Sequence, residues 1–381
     1  MLRAGTPFSR TFYVDLFLFL FGMFSKNKWL LVFIGLAVVI RIFSLFPDAV
    51  ERWYSNGIYP LTSKLQRILF GWIPFSIGDI FYAVLVLLLL NKLIILVKKL
   101  WRRQTTREYW LRGGKQFIWV IVLVYIGFNG LWGLNYNRTG IADQLGLKVE
   151  NYSKEDLVAV METIRERLGR TDSTALLTRT DIRKKKWLFS QAQTSYDSLA
   201  AASPELEYSI RSVKPSIYSY LGNYLGFTGY YNPFSGEAQV NTTVPLFVQP
   251  FTTCHEIGHQ LGYAKENEAN FAGYLAAKSS PDAAFRYSVY FDLYTYSWYY
   301  LYNIDSSLAR KFSEQLPPQV KSDYRELKEF NRKHRNPVER VIDKLYGEYL
   351  KANQQPSGKL AYNEVIAWLV AYYKKYGEEA I

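Results

Sequence analysis

The sequence predicts a mainly α-helical protein: N-terminal transmembrane helices followed by an α-rich α+β domain with one small sheet. Three observations carry this. Apolar stretches long enough to cross a bilayer crowd the first 134 residues. Apolar residues at helical spacing dominate the remainder. One turn-rich run, Gly226 to Pro250, interrupts them with a strand-like segment. The chain then divides into an N-terminal extension (1–28), a membrane domain (29–134) and an extracytoplasmic globular domain (135–381).

The three spans run from about Trp29 to Phe46, Gly78 to Val97 and Phe117 to Leu134. Arg41 interrupts the first near its end, where it can snorkel, and Asn91 and Lys92 fall in the last third of the second. A further stretch, Phe12 to Phe24, is short and contains Asp15, so it suits an interfacial helix or part of an extension. Met23, followed by Phe24-Ser25-Lys26-Asn27-Lys28, has the look of a natural start, which leaves open whether residues 1–22 belong to the working protein.

Charge sets the orientation. The net charge is +13, yet residues 1–135 hold 16 Lys and Arg against 5 acids, while residues 136–381 hold 30 against 28. The excess therefore flanks the apolar segments and reads as topology. With no basic stripe in the globular half, nucleic acid is excluded as a partner. The loop at 98–115 carries Lys98, Lys99, Arg102, Arg103, Arg107, Arg112 and Lys115 with Glu108 as its lone acid, which places it in the cytoplasm. The protein is expected as a multi-pass resident of the cell membrane with the bilayer as partner. Aromatics, 17% of the chain, suit a bilayer interface. Cys254 is the single cysteine, so no intrachain disulfide forms.

In the globular half, residues 153–168 open with Ser-Lys-Glu-Asp and place Leu157, Val160, Met161 and Ile164 on one face, a capped amphipathic helix. Residues 173–203 also look helical, less cleanly. Gly229 to Gly236 is turn chemistry, and Glu237–Val244 is a short strand, a candidate edge for pairing an extended substrate. Helices follow to the end, including an aromatic-rich one near 284–302 and a last one near 362–376.

The chemistry lies in His255-Glu256-Ile257-Gly258-His259, with Pro250 suited to a helix start and Gly262 to the residue past its end. Residues four apart share a helix face, so both imidazoles can offer a nitrogen to one Zn2+ ion. Glu256 is placed to reach a zinc-bound water as general base. Only three histidines occur in the chain, and two fall in this pattern. A third protein ligand is required if a position is to stay open for water. Lys265 stands six residues beyond His259 and cannot ligate while protonated. Glu266 and Glu268 open the next helix, and Asn270, four residues after Glu266, can support a ligating histidine from the same face.

His-Glu-x-x-His followed by Glu266-Asn267-Glu268-Ala269-Asn270 resembles the gluzincin metallopeptidases. That resemblance implies a zincin-like fold, Glu266 as third zinc ligand and Asn270 as a residue behind the ligands. The six residues between His259 and Glu266 are fewer than is usual there, and Asn270 stands where Asp is commoner. Glu268 is therefore kept as the alternative ligand. The run from Tyr230 to Ala277, behind three spans, also resembles a family of bacterial membrane proteins known only as a domain of unknown function.

The resulting expectation is a membrane-anchored zinc metallopeptidase acting on a peptide or protein outside the cytoplasm. Two other readings stand beside it: a zinc hydrolase of a non-protein envelope amide, and a non-catalytic receptor or scaffold with a structural metal. His334, in a basic cluster, is a possible oxyanion stabiliser, although a solvated surface role suits it better. The Tyr287–Tyr302 aromatics suit core or interface, and Cys254 a packed position.

Overall fold

A computed structural model describes residues 28–353, 355 and 362–381. The stretch Phe12–Phe24 and the start at Met23 lie outside the described residues. Among the described residues the chain is mainly helical with one three-stranded sheet, and it forms two compact units.

The first unit takes residues 28–46 and 85–130. It contains α1 (Lys28–Phe43). Pro47–Ala49 and a π-helical stretch, Val50–Ile58, then lead into α2 (Tyr59–Phe70), which belongs to the second unit. Next come α3 (Ile77–Trp101), whose first turns to Val84 also belong to the second unit, and α4 (Arg107–Leu131). Helices α3 and α4 are each long and apolar enough to cross a membrane. A third span arises if α1 and the helical run Pro47–Phe70, which bend at their break, count as one. Within the first unit Phe33 meets Trp119 edge to face, with centroids 5.4 Å apart.

The second unit comprises Pro47–Val84 and Leu131–Ile381, so the segment between the first two apolar stretches is part of the globular body. Its helices continue with α5 (Lys154–Thr178), α6 (Lys185–Ala200), α7 (Ser219–Leu225), α8 (Gln249–Gln260), α9 (Glu266–Lys278) and α10 (Ala283–Ile304). Then follow α11 (Ser306–Glu314), α12 (Pro318–His334), α13 (Pro337–Ala352) and α14 (Tyr362–Tyr376). Ser153 and Asp156 cap α5 reciprocally, and its predicted stripe Leu157, Val160, Met161 and Ile164 is fully buried. The less regular pattern at 173–203 reflects a real break: α5 ends at Thr178, a 3₁₀ turn spans Asp181–Arg183, and α6 begins at Lys185. The core forms where α10 packs along α5 and α8 along α9.

The strands β1 (Val213–Pro215), β2 (Gly229–Asn232) and β3 (Glu237–Val240) are ordered β1-β3-β2. β3 pairs in parallel with β1 (Val213 opposite Ala238) and antiparallel with β2 (Gly229 opposite Val240). This corrects the expectation that Glu237–Val244 is an edge strand. Both of its edges are taken, and the strand ends at Val240. Buried Glu237 accepts hydrogen bonds from the Gly78 and Ile77 amides at the start of α3 (2.7 and 3.2 Å), where a helix N-terminus favours a carboxylate.

Candidate metal centre

Helix α8 starts with Pro250 in its first turn and stops before Gly262, which has φ +90°. A Cβ at that position would strike the Tyr59 ring, so glycine is required there for both conformation and space. Five residues, 261–265, separate the end of α8 from the start of α9 at Glu266. The two helices approach closely at small residues. A Cβ at Gly273 would come within 2.9 Å of the His255 amide nitrogen, and one at Gly258 within 3.1 Å of the Ala269 carbonyl oxygen. The short connection and the close crossing together bring the first residue of α9 to the imidazoles.

The side chains converge. His255 and His259 stand nearly perpendicular with ring centroids 4.7 Å apart. Potential ligand atoms of His255, Glu256 and His259 lie within 4.8 Å of one another. Glu266 reaches both rings, its Oε2 3.4 Å from His255 Nε2 and its Oε1 3.8 Å from His259 Nε2. Two atoms that each sit at a zinc-ligand distance from a tetrahedral ion are about 3.4 Å apart. The His255–Glu266 contact is at that spacing and the His259–Glu266 contact is slightly longer, so these three side chains are within reach of one ion. Glu268 faces elsewhere: it pairs with Lys265 at 3.3 Å and lies against the backbone at Gly140. Glu256 is buried, with Oε2 unpartnered, and its carboxylate occupies the space a Cβ at Gly229 would need.

Supporting contacts fix the imidazoles. His259 Nδ1 lies 2.8 Å from the Tyr263 carbonyl; donation there leaves Nε2 as the lone-pair nitrogen. Asn270 lies beside the His255 ring and favours its protonated form, although His255 Nδ1 has no well-aligned partner. Tyr346 on α13 donates to Glu266 Oε1 at 2.5 Å. The end of α8 is pinned by Trp132 Nε1 on the His259 carbonyl (3.1 Å), by Tyr59 and Ser63 hydroxyls on the Gln260 carbonyl (2.8 and 3.1 Å), and by Arg138 on the Gly262 carbonyl (3.1 Å).

Electrostatics separate the two carboxylates. Burial pushes Glu256 up to about 8; the His255 charge offsets part of this and Glu266 adds to it. Burial would also raise Glu266, but the hydrogen bond to His255, the charges of His259 and His255, and the Tyr346 phenol hold it down at about 2. Burial lowers His259 to about 4, helped by the charge of His255. Burial works against protonation of His255 too, yet the Glu266 hydrogen bond and both neighbouring carboxylates raise it to about 9. The imidazoles thus favour the anion of Glu266, while burial favours the protonated form of Glu256.

Other sequence candidates lie apart from this cluster. His334 is buried rather than solvated, its Nδ1 2.8 Å from the Phe330 carbonyl and its ring against Tyr224 and Phe330. Among its described contacts none is a residue of the cluster. Cys254 is fully buried, and burial pushes its thiol well up, so it is a packed residue; its carbonyl accepts from Tyr196. Asp292, in the aromatic α10, was not foreseen. It is close enough for the His255 charge to stabilise its carboxylate, burial raises it to about 7, and its Oδ2 is unpartnered. A lone acid inside an aromatic helical run is the signal that could have found it.

The fold and this cluster define a mainly helical protein with two candidate membrane-spanning helices and a largely buried His255-Glu256-His259 group that could hold a metal ion. The chain matches the family described as Protein of unknown function (DUF3810) over residues 54–370 and belongs to that family. No curated protein and no solved structure matches it.

Proposed function

We propose that the protein is a membrane-anchored zinc metallopeptidase of the gluzincin type, with its globular unit outside the cytoplasm and the basic loop 98–115 inside. One observation carries the reading: Glu266 spans both imidazole Nε2 atoms while a second buried carboxylate, Glu256, stands beside them with an oxygen free. His255, His259 and Glu266 would hold one ion. When bound, zinc supplies Lewis acidity, which polarises a carbonyl and acidifies water.

The chain's own residues supply the rest. Glu256 accepts the proton of the attacking water at its free Oε2 and returns it to the departing amine nitrogen. Its burial matters, because burial favours the protonated carboxyl and so helps Glu256 keep the proton until it is handed on. The Tyr263 carbonyl holds the His259 imidazole in orientation, and Asn270 stands beside the His255 ring. A general base beside the donor set favours an enzyme over a scaffold with a structural ion, for which Glu256 would serve no purpose.

The test is purified protein in detergent or nanodiscs, assayed for zinc and for cleavage of a peptide library. Glu256→Gln should keep zinc and lose cleavage. A zinc-loaded wild type that cleaves no peptide but hydrolyses an envelope amide would replace the peptidase reading.

A further inference from the structure

Helix α2 has two faces with opposite fates. Tyr59, Ser63, Gln66 and Arg67 are buried, and three of them hold the site: Tyr59 and Ser63 bind the Gln260 carbonyl, and Gln66 donates to the Pro233 carbonyl in the β2–β3 turn. The other face, Leu61, Leu65 and Ile68, repeats at helical spacing and is bare, with Leu61 71% exposed and the exposed Lys64 beside it, long enough to snorkel. A contiguous apolar stripe of this kind marks an interaction surface. The chain itself says which one. A connection of six residues leads from α2 to α3, and α3 is the most apolar candidate span, with a mean hydropathy of 2.7 and none of that window buried. Trp72 and Phe75, both exposed, fill the connection, where interfacial aromatics belong.

We infer that α2 lies in the headgroup region of the bilayer that α3 crosses, its bare face against the acyl boundary. Because its buried face grips the end of α8, the metal centre is held close over that membrane surface. Resting on the peptidase reading, the substrate class follows: polypeptide tethered to or emerging from the bilayer, not free peptide.

The test uses the full chain in phosphatidylcholine–phosphatidylglycerol nanodiscs with a nitroxide at Leu65→Cys and, for reference, at exposed Lys328→Cys. The native Cys254 is buried and does not compete. The label at 65 should collide with oxygen and be shielded from a water-soluble nickel chelate, with the opposite at 328. Equal nickel accessibility at both sites, or dipolar broadening between labels at 65 on two copies, would overturn the membrane contact. In proteoliposomes, a myristoylated peptide should be cleaved at least about tenfold faster than its unacylated form, as confinement raises its effective concentration. Equal rates would overturn the substrate class while leaving the peptidase reading intact. Cleavage of neither by zinc-loaded protein would overturn both, and the depth result stands or falls on its own.

Discussion

The last turn of α8 and the turn before it are built on opposite terms. In the last turn the polar groups are satisfied: the carbonyls of His259, Gln260 and Gly262 accept from Trp132, Tyr59, Ser63 and Arg138. The Gln260 amide is held by Tyr208, Ser212 and Gly236. One turn earlier, His255 Nδ1 and Glu256 Oε2 lack partners, and so do Asn270 Nδ2 and Asp292 Oδ2 nearby. Buried polar atoms without partners are costly, so a cluster of them marks where something else completes the structure. Under the proposed function, the saturated turn is scaffold and the unsaturated one is the working face.

That contrast can be broken experimentally, beginning where the effect is largest. Glu256→Gln should reduce cleavage by about 10²–10⁴-fold with zinc content unchanged, since only a proton acceptor is lost; loss of zinc instead would make Glu256 a ligand. Asn270→Ala should weaken zinc affinity by about 10–100-fold in competition with a chelator, the range for residues that orient a metal ligand. Gly273→Ala should destabilise the fold by about 1–3 kcal/mol in urea unfolding, because its Cβ meets helix backbone that cannot yield cheaply. Tyr59→Phe should cost only about 1 kcal/mol, as Ser63 still serves the Gln260 carbonyl, and should leave zinc affinity unchanged. If Tyr59→Phe damaged zinc binding as much as Asn270→Ala, the division between scaffold and working face would fail.

The two turns also differ in how far they can be read from sequence. His255, Glu256 and His259 are legible because four-residue spacing on a helix is local geometry, and the α5 stripe is legible for the same reason. The choice between Glu266 and Glu268 is not, since both open the same helix. The structure separates them through the α8–α9 crossing at Gly258 and Gly273, which turns Glu266 toward the rings and Glu268 toward Lys265. The scaffold of the last turn is illegible altogether: Tyr59 and Ser63 act across 201 and 197 residues of chain. The strand Glu237–Val240 has the same residue pattern whether central or at an edge, so its place required the pairing itself. The bare stripe of α2 is periodic in the sequence, yet charge balance alone, which serves for orientation, does not reveal it.

The central claim is that His255, His259 and Glu266 form one metal site. Zinc stoichiometry of wild type, Glu266→Ala and Glu268→Ala, purified side by side and counted by mass spectrometry, tests it directly. One ion, none and one are expected. Full zinc in Glu266→Ala, or loss of zinc in Glu268→Ala alone, would contradict it.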